Sequence, residues 1–306
     1  MHKISGWVSL VFACSLSLQG QGTVPARMIV TTGHVYGQEP PMLMAKDLVV
    51  TQNDRPVKVT ALLPLRGDRA GLELYVLVDN CSNCEAGPQF EELARFIQTQ
   101  PATTSVGVAY IQNGKLEVAL EPTSDHARAV KALSAPEGSK PSSPYDALAD
   151  LIKGWKQGSA RRAVLMISTG IDPAETNPES AQSKSAEAAL RAAERAEVTI
   201  YAIYHPSADY LSTDLSKILA GQIQLSHVAS NSGGEAYFLN FGPLLSLAPF
   251  LGDVDQHLAN QYLLEFPGYR GSSPGELQTV RVKSTAMPEL DLMAPDKIVV
   301  GGRTPQ

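Results

Sequence analysis

The sequence lacks a basic stretch and, beyond its first eighteen residues, any long apolar run. Its 306 residues carry 25 lysine and arginine side chains against 31 aspartate and glutamate side chains, a formal net charge of −6. Without a basic stripe there is no electrostatic footprint for nucleic acid. A membrane-spanning helix needs about eighteen or more consecutive apolar residues, and no later segment has them. We therefore expect no nucleic-acid partner and no transmembrane segment after the N-terminal region.

The N-terminus has the pattern of a secretory signal peptide. A short basic start is followed by the apolar segment Ile4–Leu18 and then by the polar QGQGTVPAR. Small residues favour cleavage after Gly22, so residues 1–22 are the predicted signal and the mature protein is exported, either periplasmic or secreted. Two alternatives remain: an uncleaved anchor, for which the apolar run is short, and a lipoprotein attached through Cys14, to which the VFAC sequence fits poorly.

Cysteine is scarce, because the chain has only three and removal of the signal leaves Cys81 and Cys84. An even pair in an oxidising compartment indicates a disulfide bond, which we expect here. The alternative is a periplasmic thiol-disulfide oxidoreductase, since thioredoxin-like enzymes also place C-x-x-C between a buried strand and a helix. In this chain EAGP separates the second thiol from the predicted helix, which weakens the stabilising effect of the helix N-terminus on a thiolate.

Other enzyme and metal motifs are missing from the sequence. There is no G-x-G-x-x-G after a strand, no G-x-x-x-x-G-K-[ST] and no G-x-S-x-G elbow between a strand and a helix, so the common nucleotide-binding and hydrolase signatures are absent. A zinc site that combines the cysteine pair with histidines would need a recognisable histidine spacing, which the sequence does not have. We therefore expect no enzymatic activity and no cofactor. The histidines that could join the cysteine pair in a zinc site are His126, His205, His227 and His257.

The central part of the chain alternates between strand and helix patterns. LELYVLV, RRAVLMIST and EVTIYAIYH are near-continuous apolar runs, as expected for strands that are covered on both faces. Amphipathic helical segments separate them, and SVGVAYIQNGKLEVALEP is typical of a hairpin with an Asn113-Gly114 turn. The pattern predicts an α/β fold with a doubly wound, mostly parallel sheet and one antiparallel edge strand.

Both ends of the predicted mature chain have a β pattern instead. Residues 23–69 contain KDLVVTQNDRPVKVTALLPL, in which a turn at Asn53–Pro56 separates two strand-like runs. Residues 267–306 contain LQTVRVKST, which returns to the same pattern. We infer a small flanking β region from both chain ends around a central domain at residues 70–266.

Six segments follow one another along the chain in a characteristic order: KDLVVTQNDRPVKVTAL, LYVLVDNCSN, SSPYDALADLI, RRAVLMISTGID, HVASNSGGEAYFLN and HLANQYLLEF. Together they resemble the von Willebrand factor A family, and more closely its exported bacterial subgroup of VWFA-related acidobacterial domain proteins. The resemblance implies a von Willebrand factor A-like domain that binds another protein in the cell envelope or outside the cell. Ligands of such sheets meet the loops beyond the carboxyl ends of the strands, which are here predicted at residues 79–88, 140–144, 168–173 and 205–210.

The resemblance also implies a metal-ion-dependent adhesion site, from which this chain departs. Family members hold Mg²⁺ or a similar cation with D-x-S-x-S after the first strand, a threonine before the YDAL-like helix and an aspartate in a T-D-G turn. Asp79 matches the first aspartate, but Cys81 and Asn83 replace the serines, Ser142 replaces the threonine and Thr169 replaces the second aspartate. A thiol is a poor ligand for a hard cation, so we expect a degenerate site without a metal.

The resemblance and the strand-end rule together define a predicted ligand-binding face. Its residues are Asp79, Asn80, Ser82, Asn83, Ser142, Ser143, Thr169 and Asp172. Asp172 could replace the lost carboxylate, and a metal, if one binds, would therefore have as its ligands Asp79, Asn83, Ser142 and Asp172.

Overall fold

The fold is given by a computed structural model. It describes residues 22–33, 42–79, 87–112, 115–133, 143–156, 158, 160–172, 183–205, 215–238 and 246–301. The predictions on the signal peptide, the disulfide and part of the ligand-binding face concern residues outside these ranges and stay predictions. They are residues 1–21 with Cys14, and Asn80, Cys81, Ser82, Asn83, Cys84 and Ser142.

The described part of the chain alternates strands and helices in its central region and has strands at both ends. The strands are β1 (Thr23–Thr32), β2 (Leu48–Gln52), β3 (Arg55–Val57), β4 (Ala61–Pro64), β5 (Leu72–Asp79), β6 (Thr104–Gln112), β7 (Lys115–Thr123), β8 (Arg161–Ser168), β9 (Val198–Tyr204), β10 (Ala236–Tyr237), β11 (Gln261–Tyr269), β12 (Leu277–Ser284), β13 (Leu292–Met293) and β14 (Lys297–Val299). The helices are α1 (Gly87–Thr99), α2 (His126–Ala132), α3 (Pro144–Gly154), α4 (Lys184–Ala196), α5 (Leu215–Asn231) and α6 (Ala248–Ala259).

Six strands form the central sheet in the order β10-β9-β8-β5-β6-β7. The pairs β5–β6, β5–β8, β8–β9 and β9–β10 are parallel, and the edge strand β7 is antiparallel to β6. Read from β7, this is the order 3-2-1-4-5-6 of a doubly wound sheet. The predicted fold class, including its antiparallel edge strand, is confirmed.

Alternate side chains of the central strands enter two apolar layers, one on each face of the sheet. In β5, Tyr75 and Leu77 pack with α3, α4 and α5, whereas Leu74 and Val76 pack with α1, α2 and α6. All four side chains are almost completely buried. A strand with two buried faces reads as a continuous apolar run, which explains the pattern seen in the sequence.

The flanking β region is a sandwich of two four-stranded sheets. Their orders are β13-β1-β11-β4 and β14-β12-β2-β3, and a third apolar core lies between them. β1 pairs with β11 from Thr23↔Tyr269 to Thr31↔Gln261, so the sandwich is built from both chain ends, as predicted. β11 runs across the predicted domain limit at residue 266 and lies wholly in the sandwich.

The predicted turn between β2 and β3 is present and has left-handed backbone at both central residues. Asn53 has φ 47° and Asp54 has φ 62°. Two successive left-handed residues match the twist of a tight hairpin, and asparagine and aspartate tolerate that region better than most side chains.

The two connections between the central domain and the sandwich meet at Arg161, the first residue of β8. Its guanidinium donates hydrogen bonds to the carbonyl oxygens of Leu65 (3.4 Å) and Ala70 (3.1 Å) in the first connection and of Leu258 (3.0 Å) near the end of α6. One side chain therefore fixes the chain where it enters the central domain and where it leaves. Within the described ranges, no helix is long and apolar enough to cross a bilayer.

Candidate functional site

The predicted face residues that the structure describes lie at the carboxyl edge of the central sheet. Asp79 ends β5, Thr169 and Asp172 follow β8, and Ser143 is the residue before α3. Because parallel strands end at the same edge, the ends of β5 and β8 lie side by side here. Ser143 and Asp172 are in direct contact.

Asp79 is held by the end of the neighbouring strand. The hydroxyl of Ser168 donates a hydrogen bond of 2.7 Å to Asp79 Oδ2, and the backbone of Thr169 forms a second hydrogen bond with this carboxyl. Burial raises the pKa of Asp79 to about 6, and the two hydrogen bonds act in the opposite direction. The same Ser168 oxygen accepts the N–H of Gly170 at 3.0 Å, so it links the turn after β8 to the acidic group.

Asp172 joins the N-terminal ends of two helices. The hydroxyl of Ser143, before α3, and that of Ser185, in the first turn of α4, donate to the same Oδ2 at 2.7 and 2.6 Å. Asp172 is 7% exposed, and the positive end of a helix dipole favours a carboxylate there. Ser183, which caps α4 through the N–H of Ala186, lies 2.8 Å from Ser185 Oγ.

The turn after β8 rests directly on α5. Gly170 has φ +66°, and a Cβ there would collide with the carbonyl oxygen of Gly221 in α5. Tyr145 donates from its hydroxyl to the Gly170 carbonyl at 3.0 Å. Thr169 is therefore held at 6% exposure, and its hydroxyl accepts the N–H of Ile171 at 3.3 Å.

His205, directly after β9, extends this edge beyond β8. Its backbone N–H donates to the Ser168 carbonyl at 2.9 Å, and its ring Nε2 lies 2.9 Å from Gln89 Oε1 of α1. Burial lowers the pKa of His205, which favours the neutral imidazole. The remainder of the predicted loop at 206–210 lies outside the described residues.

The described side chains fit a magnesium ion poorly. Mg²⁺ takes oxygen ligands in near-octahedral geometry and relies on carboxylates and waters. The position of the second family carboxylate is Thr169, which is buried and bonded within its own turn, and Asp172 is shared by two serine hydroxyls. Across the described ranges, no three His, Cys, Asp or Glu side chains lie close enough together to hold a metal ion.

Sequence reasoning placed Ser168 in a predicted face loop but did not predict its contact with Asp79, and it missed Ser183 and Ser185. Ser168 is the last residue of the apolar run RRAVLMIS, and a serine at a strand end carries no motif of its own. Ser183 and Ser185 follow the typical preference for serine at a helix N-terminus, which predicts a cap but not a contact with Asp172. A serine-rich start of a helix next to the sheet edge was the only available signal.

Comparison with known proteins gives similarity of fold. No family model and no curated protein matches the sequence. The von Willebrand factor domain of the type V pili tip protein Mfa5 from Porphyromonas gingivalis is similar with 9% identity and a TM-score of 0.44, over 61% of this chain and 94% of that chain. The SpRpn10 VWA domain is similar with 14% identity and a TM-score of 0.42, over 60% of this chain and 94% of that chain.

Similarity at this level concerns the fold and says nothing of ligand or partner. The central domain is a doubly wound α/β domain. Its resemblance to the von Willebrand factor A family, and more narrowly to the acidobacterial subgroup, stays a hypothesis.

Proposed function

We propose that the protein is an exported, non-enzymatic binding module that recognises another protein through the carboxyl edge of its central sheet, without a bound metal. The observation that carries the proposal is that serine hydroxyls bond Asp79 and Asp172, the two acidic side chains of the predicted face that the structure describes. Ser168 donates to Asp79, and Ser143 donates to Asp172. Open α/β sheets bind their ligands at this edge, and fixed acidic groups at the bases of the loops support a preformed binding surface.

The same contacts argue against serine catalysis. A nucleophilic serine is normally activated by an imidazole that accepts its proton. Ser143, Ser168 and Ser185 each donate to a carboxylate instead. These serines therefore have a positioning role in the proposed face.

The alternative function is a thiol-disulfide oxidoreductase that uses Cys81 and Cys84, and one observation favours it. α1 begins at Gly87, so two residues separate it from Cys84 along the sequence, whereas the sequence pattern predicts four. A helix N-terminus near a thiol lowers its pKa and increases its reactivity. Both cysteines lie outside the described residues.

The two functions are separated by affinity capture combined with a redox assay. Mature protein, Asp79→Asn and the control Asp150→Asn, which changes an exposed carboxylate in α3, are used to capture proteins from the cell envelope. We expect a partner protein that binds to the unaltered mature protein and to the control variant but not to Asp79→Asn. Its binding should persist in EDTA. Capture that is equal for all three proteins would contradict the proposed face. Efficient thiol exchange with a model disulfide that is lost in Cys81→Ser would establish the alternative.

A further inference from the structure

The last turn of α4 carries a glutamate that is buried between the central domain and the sandwich. Glu194 is 4% exposed, and its Oε2 is a buried atom without a hydrogen-bond partner among the described residues. Glutamate is almost never fully buried unless it is paired. A buried polar atom without a partner therefore needs a physical explanation.

Glu194 lines a small cavity at the contact between the two units. The cavity has a volume of about 20 Å³, which is room for a single water molecule. Its walls are mostly apolar and come from both units. They include Met28 and Ile29 of β1 and Ile298 of β14 from the sandwich, and Ala193 and Val198 of the central domain.

The contact around this cavity, which we call the seam, is formed by β1 and β14 against α4 and the end of α5. The N–H of Asp296 donates to the Asn231 carbonyl at 3.0 Å, and Ser232 pairs with Pro295 as an isolated bridge. Polar contacts thus fasten the seam on one side of Glu194. On the other, Arg27 and Glu197 form an ion pair of 3.3 Å.

Charged groups from every element at the seam surround Glu194. Burial raises the pKa of Glu194 to about 7. Lys297 and Arg191 oppose this shift, whereas Asp296 and Glu187 add to it. The other charged or titratable groups at the seam are the ion pair of Arg27 with Glu197 and His227 of α5, whose Nε2 lies 2.7 Å from Glu187.

We propose that Glu194 makes the seam a proton-controlled joint, which is closed while this carboxyl holds a proton and loosens when the proton leaves. A neutral carboxyl tolerates a small, mostly apolar cavity, whereas a carboxylate needs water or a cation. The cavity is too small to hydrate a carboxylate fully, so ionisation favours opening of the seam. The occupancy of this one proton then sets how firmly the sandwich is held against the central domain.

The direction of the pH effect follows from the two ends of the titration. The pKa of Glu194 is about 7 in the folded protein and 4.5 for an unperturbed glutamate. The stabilising contribution of the protonated carboxyl is therefore fully present below about pH 4.5 and is lost as the pH rises through about 7. Above that range the seam carries the full cost of a buried charge.

Hydrogen exchange of the mature protein at pH 5 and pH 8, corrected for intrinsic exchange rates, tests the proposal. We expect protection of the amides at 191–197 and 296–299 to fall at least about tenfold at pH 8 relative to the protein's mean, since one pKa unit corresponds to a factor of ten. Glu194→Gln is neutral and of the same shape, so its protection should not fall. Asp150→Asn, an exposed change, should behave as the unaltered protein.

Removing a neighbouring cation or a neighbouring anion should shift the pKa of Glu194 in opposite directions, which gives a second test. Carbon-13 NMR of the glutamate carboxyls should show a midpoint near pH 7 that is missing in Glu194→Gln. Lys297→Gln should raise this midpoint, because it removes a cation, and Glu187→Gln should lower it, because it removes an anion. A Glu194→Gln protein with the same pH-dependent exchange as the unaltered protein would overturn the proposal. So would a midpoint that stays constant in both neighbour variants.

Discussion

The Ser168 hydroxyl donates a hydrogen bond of 2.7 Å to the carboxylate of Asp79, so two neighbouring parallel strands are joined by side chains at their last residues. Asp79 belongs to β5 and Ser168 to β8. The contact fixes the direction of the acidic group at the point where the chain leaves the sheet. The stability of the proposed binding face therefore depends on a serine that has no family motif.

We expect Ser168→Ala to destabilise the protein by about 1–3 kcal/mol, because it leaves a partly buried carboxyl without one of its donors. Urea unfolding of Ser168→Ala, Asp79→Ala and the double variant forms a double-mutant cycle. The two changes should be clearly non-additive, since the residues are in contact. Additive effects would show that the bond does not contribute to stability.

We expect that Mg²⁺ does not bind the predicted ligand-binding face with useful affinity. Mg²⁺ releases water reluctantly and needs carboxylates to compensate, whereas Thr169 stands where the family has an aspartate. Calorimetry of chelator-treated protein with Mg²⁺, Mn²⁺ and Ca²⁺ should give no one-site isotherm. An isotherm at micromolar affinity that disappears in Asp79→Ala would contradict this prediction, and the ligand set with Asn83, Ser142 and Asp172 would then apply.

A glycine exchange tests how the turn after β8 rests on α5. Gly170→Ala should cost about 1–3 kcal/mol, because the residue has φ +66° and its Cβ would meet the Gly221 carbonyl. Gly252→Ala is the matched control, since it lies inside α6 with open space around its Cβ. The control should be stabilised by about 0.5–1 kcal/mol through helix propensity. Equal effects in urea unfolding would rule out the close backbone contact.

The cysteine prediction is a Cys81–Cys84 disulfide in the exported protein. Closing so short a loop constrains the unfolded chain modestly, by roughly 2 kcal/mol, so the double serine variant should still fold. Alkylation of native protein followed by mass spectrometry should find neither thiol free. Complete alkylation without prior reduction would contradict the bond.

Export gives the last prediction, which is a mature N-terminus at Thr23. The apolar run ends at Leu18, and small residues precede the expected cleavage point. N-terminal sequencing of exported material checks this directly. A lipid-modified protein that begins at Cys14 would show that the alternative processing route is used.

Much of the fold follows from residue patterns, whereas the contacts of the site follow from them only in part. The buried strands and the Asn53–Asp54 hairpin could be predicted because each depends on local periodicity or turn chemistry. Asp79 and Asp172 could be placed at one edge because parallel strands end together. The bond from Ser185 to Asp172 could not, because it depends on how α4 packs beside the turn after β8.

The burial of Glu194 could not be predicted from the sequence at all. In the segment KSAEAALRAAERA it looks like any glutamate of a charged helix. Its burial arises because strands from both ends of the chain pack over the last turn of α4. No pattern within the helix records that packing, so the sequence alone gives no sign of it.

The pairing of β1 with β11 also determines the order in which the protein can fold. β1 pairs with a strand that follows the whole central domain in the sequence. Pairing across so long a separation is slow because of the entropy of loop closure. The central domain contains its own sheet and both of its apolar layers, and its folding brings the two flanking segments together at Arg161. We therefore expect the sandwich to form last. Until then its strand edges remain open to wrong pairing with other chains.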